Sequence, residues 1–128
     1  SGEAAPSSHD ARIALATGHL ARKLEQSGRY RLVDLSPLAA EVAATAPRYG
    51  CGGCWLDVAR KSGADLAVLP AVHKVSTLIS TMDLWVADLR SGQYVAHVTG
   101  QIRGDTDTAW LRGVDFLVDE RLLRQAPP

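Results

Sequence analysis

Two cysteines are present in the chain, and they stand three positions apart as Cys51-Gly52-Gly53-Cys54, at the mouth of a predicted helix Trp55-Leu56-Asp57-Val58-Ala59-Arg60-Lys61. That spacing suits a short disulfide, a redox dithiol, or half of a metal site. The positive end of a helix favours thiolate, which serves a redox pair. A tetrahedral metal site needs ligands beyond two thiolates. None of His9, His19, His73 and His97 stands three or four positions from another. His73, on a predicted strand, is the one imidazole suited to join Cys51 and Cys54 around a metal, and it reads equally as a hydrogen-bonded core histidine. Spacing alone leaves the three chemistries open.

A second constellation is Arg103-Gly104-Asp105-Thr106-Asp107. As structure it is a strand end, a glycine turn and a helix cap, with Arg103 or Arg112 pairing with Asp105 or Asp107, because acidic groups stabilise a helix N-terminus. As a site, exposed amides and Arg103 would hold a small anion, although the two aspartates repel one. The aspartates point instead to a hard cation such as calcium, but Asp-x-Asp falls short of a full loop. The Arg-Gly-Asp triplet is too short to indicate adhesion. A third group lies on one face of a predicted hairpin, where Trp85 and His97 sit among Thr81, Asp83, Thr99 and Gln101. It reads either as a solvated sheet face with one aromatic pair or as a recognition surface.

Catalytic signatures are lacking. The chain has no Gly-x-Ser-x-Gly elbow, phosphate loop or dinucleotide fingerprint, so no catalytic residue and no cofactor are expected. Asp34, at the end of a predicted strand, has no identified partner for work as a general base.

At 128 residues, 46% hydrophobic and 22% charged, the chain is one ordinary domain able to bury a core. Its 14 basic and 14 acidic side chains cancel, which removes the footprint of a nucleic-acid binder. No apolar run approaches the ~20 residues of a membrane span. Residues 1–8 are small and polar and read as a flexible arm without signal-peptide character, either of an intracellular protein or of a processed form. Residues 9–124 form the domain and 125–128 a tail.

The elements that must position these groups follow from periodicity. Ser7 or Ser8 caps a helix over His9 to Gln26 with Ile13, Ala16, Leu20 and Leu24 on one face and Gly28 ending it. Arg29 to Leu35 reads as a strand. Ser36 then caps an alanine-rich helix with Pro37 at its first position. After the cysteine helix, Ala64 to Val72 is apolar on both faces and reads as a buried strand parallel to the first, with Pro70 marking an edge or bulge. Thr77 to Leu89 and Gln93 to Arg103 form a hairpin closed by Arg90-Ser91-Gly92, a type I turn with a G1 bulge. That register pairs Leu84 with Val98 and Val86 with Ala96 on the core face. It pairs Trp85 with His97, Asp83 with Thr99 and Thr81 with Gln101 on the other. Asp105 or Asp107 caps a last helix to Arg124. The result is a single layered α/β domain with a mixed sheet of about four strands, in the order α-β-α-α-β-β-β-α.

Three segments together carry a resemblance: Cys51-x-x-Cys54 with Ala59-Arg60-x-x-Gly63-Ala64-Asp65; Lys74-Val75-Ser76-x-Leu78-Ile79; and Ile102-Arg103-Gly104-Asp105-Thr106-Asp107-x-x-Trp110-x-Arg112-Gly113. They resemble a family of small exported bacterial proteins with a domain of unknown function. More loosely, Gly28-x-Tyr30-x-Leu32-Val33-Asp34 and Gly63-Ala64-Asp65 before a hairpin resemble two further domains: the amino-terminal domain of the Tol translocation propeller protein and the curli-secretion lipoprotein. The resemblance implies a periplasmic, non-catalytic binding or assembly domain for a protein partner or small ligand. In that exported context a Cys51–Cys54 disulfide is the expected state, since Cα atoms three apart at a helix start lie ~5–6 Å from each other. A thioredoxin-like pair would directly follow a core strand, which this pair does not. The likeness also implies a strand ahead of the first helix. Its absence from the chain predicts an open sheet edge, filled by a partner chain or by a second copy in a homodimer. Trp85, His97, Arg103, Asp105 and Asp107 are the candidate binding residues.

Overall fold

The computed structural model describes residues 8–44 and 54–125. Helix α1 covers Ser8–Gln26, a 3-10 turn over Ser36–Leu38 leads into α2, Ala39–Ala44, and α3 is Cys54–Arg60. Strands β1 (Leu66–Lys74), β2 (Ile79–Asp88) and β3 (Tyr94–Arg103) follow, and α4, Asp107–Phe116, continues as a π-helical segment Leu117–Leu122. The sheet has the order β1-β2-β3 and both pairings are antiparallel.

The layered α/β class is as expected, but the fourth strand and the parallel crossover are corrected. Arg29 to Leu35 contains no strand. Leu32, Val33 and Leu35 have the composition of a strand yet are exposed, at 41%, 39% and 46%. β propensity alone does not make a strand without a neighbour to bury its side chains. At the end of this segment Ser36 N–H donates to Asp34 Oδ1 at 2.9 Å, so Asp34, rather than Ser36, closes the turn into α2. That hydrogen bond holds the Asp34 carboxyl below its ordinary range, which disfavours it as a base.

The predicted hairpin register is observed at every pair named above. The bulge sits elsewhere: the register shifts between Val86 and Ala87, where Val95 is the extra residue of β3, so Ala87 pairs with Tyr94. Gly92 takes the positive φ of 74° that the loop needs. Asp88 Oδ1 accepts from the Arg90 N–H at 2.8 Å and shapes the turn from within.

Pro70 causes no break, for a reason the ladder supplies. Leu89 N–H donates to the Asp65 carbonyl at 2.9 Å, and antiparallel pairing alternates from there. Odd-numbered residues of β1 therefore face β2, and Pro70 turns its nitrogen outward from an edge strand, where no ladder bond is lost.

The inner sheet face carries the main core. Met82, Leu84, Val86, Val98 and Ile102 pack against Ala16, Leu20 and Leu24 of α1 and against Trp110, Val114, Leu117, Val118 and Leu122. Ile13, expected on the same helix face, is largely outside, at 38% exposure. Two glycines let α4 lie close to β3: an added Cβ at Gly113 would meet Ile102 Cγ1 at 2.9 Å, and one at Gly100 would meet Phe116 and Leu117 at 3.2 Å.

Helices α1 and α4 run parallel, held by a ladder of charges. Arg12 pairs with Asp105 and Asp107, His19 Nε2 contacts Asp115 Oδ1 at 2.7 Å, and Lys23 reaches Asp119 at 2.9 Å. The Arg29 guanidinium donates to the Leu123 and Gln125 carbonyls at the far end. Burial pushes the Asp115 carboxyl up, but hydrogen bonds and charge from His19 and Lys23 outweigh it and leave the group below its ordinary value of 3.8. A lowered folded value means stability present above that ordinary value and lost as pH falls through the folded one. Asp115→Asn should therefore lower the melting temperature at pH 7 and have no effect in acid below the carboxylate range. The cost should stay below about 1 kcal/mol because solvent screens the pair. Thermal melts of both proteins across pH would show whether the curves converge.

Candidate recognition face

The outer sheet face is built by the odd-numbered residues of all three strands. Near the β2–β3 hairpin it is covered by α3, where Trp55 packs on Leu69 and Ala87, with Leu56, Ala67 and Trp85 around them. Arg60 fixes α3 there by donating from Nε to the Leu89 carbonyl at 2.8 Å. Lys61 ties α3 to Glu41 of α2. The rest of the face, toward Thr81, Thr99 and Gln101, stays open.

Trp85 stands at the border between the covered and open parts and is half-buried. The His97 ring stacks on it with centroids 3.6 Å apart and planes 4° from parallel. Tyr94 lies tilted at 5.2 Å, brought onto this face by the bulge at Val95. His97 Nε2 and Asp83 Oδ1 are 2.9 Å apart. A carboxylate can only accept, so Nε2 carries the hydrogen of this bond. Asp83 is itself 17% exposed against 40% for His97. The result is a flat aromatic platform, with one ring oriented by a carboxylate and polar hydroxyls and amides at its rim. Such a platform stacks a planar or apolar group and hydrogen-bonds its edge.

Arg103, Asp105 and Asp107 are not brought to this platform. His97 and Arg103 are six residues apart on one strand, about 20 Å. The expected cap is also corrected: Thr106 is the N-cap of α4, accepting from Ala109 N–H at 3.1 Å. Asp105 and Asp107 turn instead to Arg12 of α1, at 2.5 and 3.0 Å, and not to Arg103 or Arg112. Their hydrogen bonds, that to Asp107 foremost, raise the Arg12 pKa. Arg12 also lies 5.8 Å over the Trp110 ring. With a guanidinium already between them, these carboxylates are poor ligands for calcium.

Arg12 and Tyr94 were missed by sequence reasoning. A signal for Arg12 existed, since basic residues at 12, 19 and 23 on α1 match acidic ones at 107, 115 and 119 on α4 as complementary stripes. Tyr94 depended on a bulge that the sequence does not locate. Beside α4, a shallow groove of about 470 Å³ lies along β3, lined among others by Gln101, Arg103, Thr108, Arg112 and Phe116.

Cys54 opens α3 and is not a free thiol. Cys51 lies outside the described residues. His73 is exposed on β1, opposite Thr81. Among the described residues, no three His, Cys, Asp or Glu side chains converge in a way that could hold a metal ion. No described helix is long and apolar enough to cross a membrane.

Fold and site together define an α/β domain, with two long helices under an antiparallel sheet and a half-open aromatic face above it. The chain matches the DUF3280 family, described as "Protein of unknown function (DUF2380)", over residues 1–122, and it belongs to that family. No curated protein matches the chain, and no solved structure does.

Proposed function

We propose that this protein is a non-catalytic binding or assembly domain of the bacterial periplasm, and that the face around Trp85 and His97 recognises a protein partner or a small ligand. The observation that carries this reading is the platform itself. Trp85, His97 and Tyr94 stack at the edge of an open sheet face, and Asp83 orients the imidazole. Aromatic side chains backed by packing and rimmed by polar groups dominate recognition energies.

A Cys51–Cys54 disulfide belongs to this proposal. It is supported by Cys54 not being a free thiol and by the presence of only one other cysteine. So short a loop would stabilise by only about 2 kcal/mol, so the bridge shapes the start of α3 more than it holds the fold.

Purified oxidatively folded protein should show no free thiol and a reduction potential below about −300 mV, the range of inert structural bonds. A higher potential, or metal bound by reduced protein, would favour the thiol–disulfide or metal-handling alternative. For recognition, Trp85→Ala and His97→Ala should each weaken binding of a partner captured by photo-crosslinking on this face by about thirtyfold or more, the effect of a hot spot. Melting temperatures of the variants serve as the folding control. Unchanged capture in both would exclude this face.

A further inference from the structure

We propose that the open edge of β3 receives an extended, acidic polypeptide segment from another protein as an added strand, held by the strand's backbone and the groove beside α4 rather than by the aromatic rings. The sheet has two edges, and they are not equivalent. On β1 the outward-facing position at the middle of the strand is Pro70, which has no N–H to give. On β3, Gly104 N–H donates to the Leu78 carbonyl at 2.7 Å, which sets the alternation of the β2–β3 ladder. The even-numbered residues of β3 from Ala96 to Ile102 therefore face β2, and Thr99, Gln101 and Arg103 direct both backbone groups away from the sheet. No proline interrupts Tyr94–Arg103. One edge is blocked and the other is a template.

Charge selects the occupant. The groove beside this edge has Arg103 on one wall and Arg112 on the other, and none of its lining residues is acidic. Both arginines are exposed, and neither guanidinium has an ion pair or hydrogen bond among the described residues. Arg12, Lys23, Arg60, Lys61, Arg90 and Arg124 each have a carboxylate partner, whereas Arg22, Arg31 and Lys74, which lie away from this groove, share the lack of one among the described residues. Phe116 lies against Gly100 on the inner side of the edge and is 39% exposed. The Arg121 guanidinium sits 5.0 Å over its ring. An added strand would set an apolar side chain on Phe116 and place its acidic neighbours within reach of Arg103 and Arg112.

The test uses the full chain, immobilised, and two phage-displayed pools of short segments. In both pools Val, Ile and Thr alternate with charged residues, Asp and Glu in one, Lys and Arg in the other. The acidic pool should be enriched over the basic one by about tenfold or more, and added salt should reduce that enrichment. Arg112→Glu, on the exposed side of α4, should reverse the preference. The selected peptide should slow hydrogen exchange at Thr99, Gln101 and Arg103 and leave β1 unchanged. Gln101→Pro removes an outward N–H that the ladder does not use and should abolish binding without a large loss in melting temperature. N-methylation of the selected peptide gives the same result without changing the protein. Equal enrichment of the pools, no enrichment, protection on β1, or undiminished binding of the N-methylated peptide overturns the proposal. A β3–β3 homodimer in ultracentrifugation overturns it as well, because the edge would then be occupied by a second copy.

Discussion

Replacing Trp110 with alanine should cost about 3–5 kcal/mol of unfolding free energy, the range for removing a buried aromatic side chain. Trp110 is 4% exposed and belongs to the cluster that joins α1, α4 and the inner sheet face. It also lies under the Arg12 guanidinium, so its removal leaves a cavity and takes away the cation–π partner of the charge that binds Asp105 and Asp107. Domains of this size are stable by only about 5–15 kcal/mol, so the loss is a large fraction of the total. Urea titration followed by circular dichroism would show the midpoint fall with little change in slope. A cost below about 1 kcal/mol would mean that the ring is not in the core.

Gly113→Val should be nearly as damaging, by about 1–3 kcal/mol, for the opposite reason: excess volume. The new Cβ would stand 2.9 Å from Ile102 Cγ1, and Ile102 is 2% exposed with no room to retreat. Gly113→Ala meets the same contact but gains up to about 1 kcal/mol in helix propensity, so its net effect should be smaller. Combining Gly113→Val with Ile102→Ala removes the atoms that clash. The double variant should then be more stable than the sum of the two single losses predicts. Strict additivity in the denaturation midpoints would show that α4 does not rest on β3 at this point.

Much of this architecture was legible in the sequence. The hairpin register followed from strict alternation around Leu84, Val86, Val98 and Ala96 together with a glycine at the loop end, because a slip of one position would have turned the core face to solvent. Helix α1 followed from apolar spacing at Ala16, Leu20 and Leu24. Arg29 to Leu35 was misread because its β-branched and leucine content says nothing about whether a neighbouring strand is available. The candidate site was legible only in part. Trp85 opposite His97 is a consequence of register, whereas the oxygen of Asp83 on His97 and the approach of Tyr94 depend on a rotamer and a bulge. The fate of Asp105 and Asp107 was out of reach of local reasoning, since their partner Arg12 is more than ninety positions away. Helix-capping rules favour aspartate at such a site, and tertiary pairing overrode them.

On the proposed reading, the face bearing Trp85 and His97 touches another molecule. A photo-crosslinking amino acid placed at Thr99, exposed beside His97 on that face, tests this in living cells. The same label at Arg22, exposed on α1, is the control. A discrete adduct from position 99, lacking from position 22 and lost on Trp85→Ala in a protein that still melts cooperatively, is the expected result. Equal adducts from both positions, or none from position 99, would contradict it.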